Sequence, residues 1–296
     1  AKSYRDIFFP GSTFKVVTAA AALDDNLIST IAPEFEAADR YLPPLTERAI
    51  SNFGGGTCGG NLIELLVVSC NSGFAEIGAE LVGPSGMIET AEGFGFNDTP
   101  PIDLPLPVAS NFPTDFGALV TQPSPEFPAG VFENTPALAQ SAIGQNDVSA
   151  SPLQMALVAA AVSNGGRVPT PHVLLAVEDA DTGSQISSFD QATWTTAMSA
   201  GTAELLTGAM IEVAERGTAQ GLAIPGLVVG GKTGTAQLGT DPPRSHAWII
   251  GFAGRPGERA EIAVAVLVEG QEGSSEQTGG RVAAPIARSI LERFFQ

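Results

Sequence analysis

The chain has 296 residues, 44% of them hydrophobic and 16% charged, enough apolar material for a sizeable core and incompatible with a disordered or fibrous chain. Its length exceeds the roughly 100–200 residues typical of one domain, so one large domain or two intimate lobes are expected. Thirty-two Asp and Glu against 14 Lys and Arg give a net charge of −18, a field that repels phosphate backbones and anionic lipid headgroups and disfavours a nucleic-acid partner. In chain order, residues 12–24 predict a helix that is apolar almost all round and therefore buried. Residues 33–60, rich in Pro and Gly, read as irregular. Helices over Asn61–Val68 and Ser72–Leu81 follow, broken at Ser69-Cys70-Asn71. Residues 97–129 are crowded with Pro and polar side chains and read as loop. Thr135–Ile143 is helical. Ser151–Asn164 is the clearest helix, with Ser151 placed to cap it, Pro152 in its first turn and Gly165-Gly166 to end it. Pro171–Glu178 is strand-like, and Met198–Arg216 is an amphipathic helix stopped by Gly217. Three strands are then expected, Gly226–Gln237, His246–Ala253 and Ala260–Val268, before a closing helix over Arg281–Phe295. The order predicts an α+β fold with an antiparallel sheet toward the C-terminus.

The best apolar run, Leu153–Val162, is too short to span a bilayer and contains Gln154, and residues 1–5 lack a signal-peptide pattern. Cys58 and Cys70 permit one disulfide. Neither belongs to a Cys-x-x-Cys, and His172 and His246 are far apart in sequence, so no metal site is expected.

The basic residues carry the sharpest signal. Only three of the 14 are Lys: Lys2, Lys15 and Lys232. A guanidinium stays protonated, whereas a desolvated ammonium can lose its proton near neutral pH. Lys15 follows Ser12 by three residues and shares its helix face, and Pro10-Gly11 puts Ser12 at the helix N-terminus, where developing negative charge is favoured. A neutral Lys15 is then a candidate base for a Ser12 nucleophile. Taken alone, Ser-x-x-Lys is weak, and a capping serine beside a snorkelling lysine fits it too. Lys232 lies in Gly230-Gly231-Lys232-Thr233-Gly234-Thr235-Ala236. On a strand, Thr233 and Thr235 face one way, able to bind a carboxylate, and Gly234 leaves room for another backbone to approach, as a docked extended peptide requires. The spacing Gly226…Gly231-Lys232-Thr233 also satisfies a phosphate loop. The strand-like residues 227–230 and the Gly239, Pro242 and Pro243 that follow exclude its helix. Gly54–Gly59 matches a dinucleotide fingerprint, but no convincing strand precedes it. Ser69-Cys70-Asn71 places a hydroxyl and an amide at a helix junction, suited to proton relay and substrate holding or simply to capping. No Gly-x-Ser-x-Gly elbow supports a serine–histidine enzyme.

Taken in order, Ser12-Thr13-Phe14-Lys15, Ser69-Cys70-Asn71 and Lys232-Thr233-Gly234 resemble the active-site signature of penicillin-binding proteins and serine β-lactamases. The flanking text, including Phe9–Thr18, Ala142–Gln145, Ser151–Ala156, Gly231–Gln237 and Ala247-Trp248, is similar to class B penicillin-binding proteins of the actinobacterial type A kind. This resemblance implies a β-lactamase/transpeptidase-like fold, an antiparallel sheet packed by helices plus an all-helical subdomain. It also implies a D,D-transpeptidase that cross-links peptidoglycan stem peptides ending in D-Ala-D-Ala and is acylated by β-lactams. Ser12 would be the nucleophile, Lys15 its base, Ser69 a proton relay and Asn71 a holder of substrate and Lys15. Lys232, Thr233 and Thr235 would bind the terminal carboxylate, with Gly234 beside them as a substrate-binding position and the backbone N–H groups of Ser12 and Thr235 as oxyanion hole. No cofactor is implied, and a glycosyltransferase is the partner that the family suggests.

The family's transpeptidase domain has a helix and two strands before the nucleophile helix, whereas only 11 residues precede Ser12 here. The resemblance thus casts residues 1–296 as an N-terminally truncated transpeptidase domain. Residues 12–216 would be its mainly helical lobe, and residues 226–296 would supply strands three to five and the last helix. The parent protein is expected on the extracytoplasmic face of the membrane, anchored by a segment upstream. Cys70 inside the second motif, twelve residues after Cys58, departs from the family; a loop of that size could close as a disulfide in such an oxidising place, or both thiols could stay free. A class D-like β-lactamase is the nearest alternative, but that class usually carries Val where Asn71 stands. Glu126-Phe127-Pro128 does not resemble the deacylating segment of class A enzymes. A non-catalytic β-lactam sensor is a third reading, weakened by the intact motifs.

Overall fold

A computed structural model describes residues 1–241, 244–271 and 277–296. Pro242 and Pro243, which count against a phosphate loop in the sequence, lie outside the described residues. The helix Lys15–Asp24 forms as expected, led in by a tight 3-10 turn at Gly11–Thr13, and its residues from Lys15 to Leu23 are all buried. It runs through the middle of the helical region, packed by helices Gly83–Gly93, Asn71–Glu76 and Ala200–Arg216. A helix with no polar face is stable only when so enclosed.

Three long antiparallel strands, Val228–Gln237, Ser245–Gly254 and Ile262–Val268, form one sheet in that order. The middle strand is buried along its whole length, which explains why it reads as a continuous Ala-Trp-Ile-Ile-Gly-Phe-Ala run rather than an alternation. Helices Pro152–Ser163, Ala200–Arg216 and Ala284–Phe294 pack against this sheet. Ser151 caps the first of these, its hydroxyl accepting from Gln154 N at 3.1 Å. The α+β expectation therefore holds.

Elsewhere local signals misled. Residues 33–60 are not wholly irregular: Phe35–Ala38 pairs with Cys58–Gly60, and Arg40–Tyr41 with Ile50–Ser51. A helix over Gly83–Gly93 escaped prediction because three glycines and Pro84 suppress its propensity; Pro84 in fact sits in the first turn, where it does no harm. The strand expected over Pro171–Glu178 shrinks to Ala176–Glu178, in a hairpin with Gln185–Ser188. The last helix begins at Ala284, after a wide turn over Gly279–Ala283.

Candidate active site

Ser12 stands on the 3-10 turn, which is wedged between two backbones. Gly11 has φ +53°, its N–H donates to Gly144 O at 3.0 Å, and a Cβ on it would lie 2.7 Å from Thr235 O. A Cβ on Gly144 would fall 2.2 Å from Gly11 O. Only glycines allow this clamp. Gly234 has the same origin: a Cβ there would lie 2.8 Å from Pro10 O and 2.9 Å from Thr13 Cγ2. The close backbone expected at Gly234 is thus the chain's own Gly11–Thr13 turn.

Beside this turn a cleft of about 1170 Å³ gathers Ser12, Ser69, Asn71, Thr233, Gly234 and Thr235, from three separate parts of the sequence. Ser69 has φ +61° at the end of helix Leu62–Val68, and this left-handed kink turns the motif out of the helix line. Lys15 and Lys232 lie behind the cleft wall, both fully buried. Lys15 Nζ donates to Ser69 O at 2.6 Å and to Asn71 Oδ1 at 2.7 Å, with Ser69 Oγ farther off at 3.4 Å. Lys232 Nζ donates to Ser69 Oγ at 2.8 Å and to Thr233 O at 3.0 Å. Ser69 is therefore the node that joins the two amines. Among the described residues no hydrogen bond joins Ser12 Oγ to Lys15 Nζ, whose hydrogen-bond partners are Ser69 and Asn71.

Among the described residues neither amine meets a carboxylate. Burial pushes the Lys15 ammonium well below its ordinary range, and the neighbouring Lys232 adds to the effect. Burial alone brings Lys232 down to about 7. A neutral primary amine has two N–H donors and one lone pair. In that neutral form the two short donations of Lys15 would use both hydrogens and leave its lone pair for an alcohol.

Three features of the site were not visible in sequence. Asn52 Oδ1 accepts from the backbone N–H of both Asn71 and Ser72 at 2.9 Å, capping from a distance the helix that begins at Asn71. Its amide also donates to Ala38 O at 2.8 Å and Gly56 O at 3.0 Å. Thr218 accepts from Thr233 Oγ1 at 2.7 Å. Arg281 lines the cleft from the turn after the sheet. No local pattern marks any of the three, since each joins the cleft only when distant parts of the chain come together. Cys58 and Cys70 are bonded, with Cα atoms 5.9 Å apart, tying the second motif to the strand Cys58–Gly60.

The described residues hold no group of side chains suited to a metal ion, and none of the acidic residues lines the cleft. Both histidines lie off the cleft wall. His246 Nδ1 accepts from Gly270 N at 3.1 Å while its ring meets Phe8 edge-on, and His172, half-buried, lies against Leu174 O at 3.0 Å. Glu126 also lies outside the cleft lining.

A family model described as the penicillin binding protein transpeptidase domain matches residues 1–292. The chain is 36% identical over 301 residues to peptidoglycan D,D-transpeptidase PbpA of Mycobacterium tuberculosis, covering 100% of this chain and 56% of that protein. It is 30% identical over 288 residues to stage V sporulation protein D of Bacillus subtilis, covering 95% of this chain and 41% of that one. The structure of penicillin-binding protein A from M. tuberculosis as a ceftriaxone acyl-enzyme complex superposes with TM-score 0.83 at 33% identity, covering 100% of this chain and 62% of that one. The D,D-transpeptidase domain of a peptidoglycan glycosyltransferase from Eggerthella lenta gives TM-score 0.81 at 26% identity, covering 99% and 66%. The chain thus spans little more than half the length of the mycobacterial relative. With the sequence likeness continuous across its length and the fold shared, this chain belongs to the penicillin-binding protein transpeptidase domain family.

Proposed function

We propose that residues 1–296 form the transpeptidase domain of a longer peptidoglycan D,D-transpeptidase, with Ser12 as its nucleophile. The carrying observation is the buried amine of Lys15, which donates to Ser69 O and Asn71 Oδ1. Its lone pair takes the Ser12 proton as Oγ attacks the carbonyl of the penultimate D-Ala. Backbone N–H groups of Ser12 and Thr235 stabilise the oxyanion; one such donor contributes on the order of 100-fold in rate. As the tetrahedral adduct collapses, Ser69 passes a proton to the departing D-Ala nitrogen and is replenished from the lysine pair bonded to it. An amine of a second stem peptide then attacks the Ser12 ester and regenerates the hydroxyl. Asn71 orients Lys15 and the substrate, and Thr233 and Thr235 stand where the terminal carboxylate is held.

The cleft wall favours aminolysis over hydrolysis. With no carboxylate among its described lining residues, no acidic side chain is placed to serve as the general base for a deacylating water, so a β-lactam ester on Ser12 is long-lived. This counts against the β-lactamase reading. The relatives' names support peptidoglycan as substrate, and the disulfide suits an extracytoplasmic place. No helix among the described residues is long and apolar enough to cross a membrane, so an anchor and a glycosyltransferase partner belong to the proposal for the whole protein. The test is peptide mapping after exposure to benzylpenicillin. A lasting adduct on the Ser12 peptide, absent in Ser12→Ala, is expected; an adduct on another serine, or rapid turnover, refutes the assignment.

A further inference from the structure

In a chain carrying 32 acidic residues, the described wall of the cleft has no carboxylate and a single charged side chain, Arg281. The residue is exposed, and its guanidinium has no hydrogen-bond or ion-pair partner among the described residues. A strong donor left unpaired at the rim of a cleft is positioned for a ligand rather than for the fold.

The neighbouring residues say which end of the ligand it meets. Gly280 is packed between the first strand and residue 218: a Cβ there would lie 2.6 Å from Thr218 O and 3.7 Å from Thr233 Cγ2. Gly279 is pressed onto Trp248 O and Gly234 O. The turn that bears Arg281 is therefore seated on the Thr218–Thr233 end of the cleft. At that end the Thr233 hydroxyl and the Lys232 amine are already engaged. Thr233 Oγ1 gives its hydrogen to Thr218 Oγ1 at 2.7 Å, so it shows lone pairs to the cleft. Lys232 Nζ is turned toward Ser69 Oγ and Thr233 O. A carboxylate arriving there would meet only the neutral hydroxyls of Thr218 and Thr235 unless a charged donor reached it.

We infer that Arg281 supplies that donor, binding the terminal carboxylate of the leaving D-Ala and the carboxylate of penicillins. Thr235 contributes the second hydroxyl, and the Thr233–Thr218 pair shapes the floor. Specificity for an acyl donor that ends in a free carboxylate then lies partly in the turn after the sheet, outside the three motifs. The inference rests on the Ser12 reading above.

The test compares second-order acylation of Ser12 by benzylpenicillin and by its methyl ester, followed by intact mass, in the unaltered protein, Arg281→Ala and Arg281→Lys. Loss of one charge-assisted bond at a partly wetted site should slow benzylpenicillin about tenfold in Arg281→Ala, and less in Arg281→Lys. The ester should react at the same rate in all three. Added salt should slow benzylpenicillin in the unaltered protein but hardly in Arg281→Ala. Rates that fall equally for acid and ester, or for neither, overturn the role of Arg281 while leaving the Ser12 reading intact. Absence of any adduct in the folded, unaltered protein overturns the Ser12 reading and this inference with it.

Discussion

Asn52 offers the most direct way to ask whether the second motif is held by the fold or by its own helix. Its side chain makes four hydrogen bonds, two accepted from Asn71 N and Ser72 N and two donated to Ala38 O and Gly56 O. It is 8% exposed, so Asn52→Ala leaves partners that water reaches poorly. A hydrogen bond contributes about 1 kcal/mol net, and loss of a helix cap costs about 1 kcal/mol, so four lost bonds that include a cap should destabilise by about 3–4 kcal/mol. With a denaturant slope of about 3 kcal/mol/M for a chain of this size, the urea midpoint should fall by about 1 M. Acylation by benzylpenicillin should fall further than stability explains, because in the proposed mechanism Asn71 holds the base and Ser69 relays the proton. Asn52→Asp retains the acceptor for the two N–H groups but not the two donors. It should recover acylation more than the urea midpoint. A midpoint within 0.2 M of the unaltered protein (about 0.6 kcal/mol at that slope), with unchanged acylation, would refute the reasoning.

Protonation gives a second handle. Lys232 titrates at about 7 when folded against about 10.5 in the open chain, so the unfolded state binds more protons between those values and stability should rise with pH across that window. Below about 7 the contribution is gone. Lys232→Met should flatten this rise in urea midpoints measured from pH 7 to 10; an unchanged slope would show that the amine stays charged. Acylation should likewise fall as acid protonates the lysine pair, with Lys15 depressed in the same direction. Reducing the Cys58–Cys70 bond, or Cys58→Ser, should lower stability by about 2–4 kcal/mol and loosen the second motif, read by thermal melting with and without reductant. Gly144→Ala should collapse acylation by driving a methyl into Gly11 O, whereas Gly239→Ala should cost only about 1 kcal/mol, since nothing lies within 4 Å. Equal effects at the two positions would show that the clamp on the nucleophile turn is unimportant.

The elements read well from the sequence are those whose stability comes from their own apolar pattern. The enclosed helix from Lys15, the helix after Ser151 and the three long strands carry their periodicity openly, and the scarcity of Lys flagged both site amines. The residues missed are tied to the site by contacts across many positions. Asn52 sits in an unremarkable Ser-Asn-Phe-Gly segment, and its meaning arises only when strand pairing brings it under Asn71. Thr218 and Arg281 become cleft residues because Gly279 and Gly280 let a turn settle on the first strand. The helix Gly83–Gly93 shows the same limit from the other side: its local propensity is poor, and packing against Lys15–Asp24 supplies what propensity lacks. The Ser12–Lys15 pairing was legible as proximity, but the partners that occupy Lys15 at rest were not.

Two of the three lysines are sealed inside the molecule, while the side chain of Lys2 is 66% accessible. Reagents that couple to primary amines should therefore modify Lys2 and spare Lys15 and Lys232. A dye, or a link to a sensor chip, can be installed under mild alkaline conditions without touching the chemistry of the cleft.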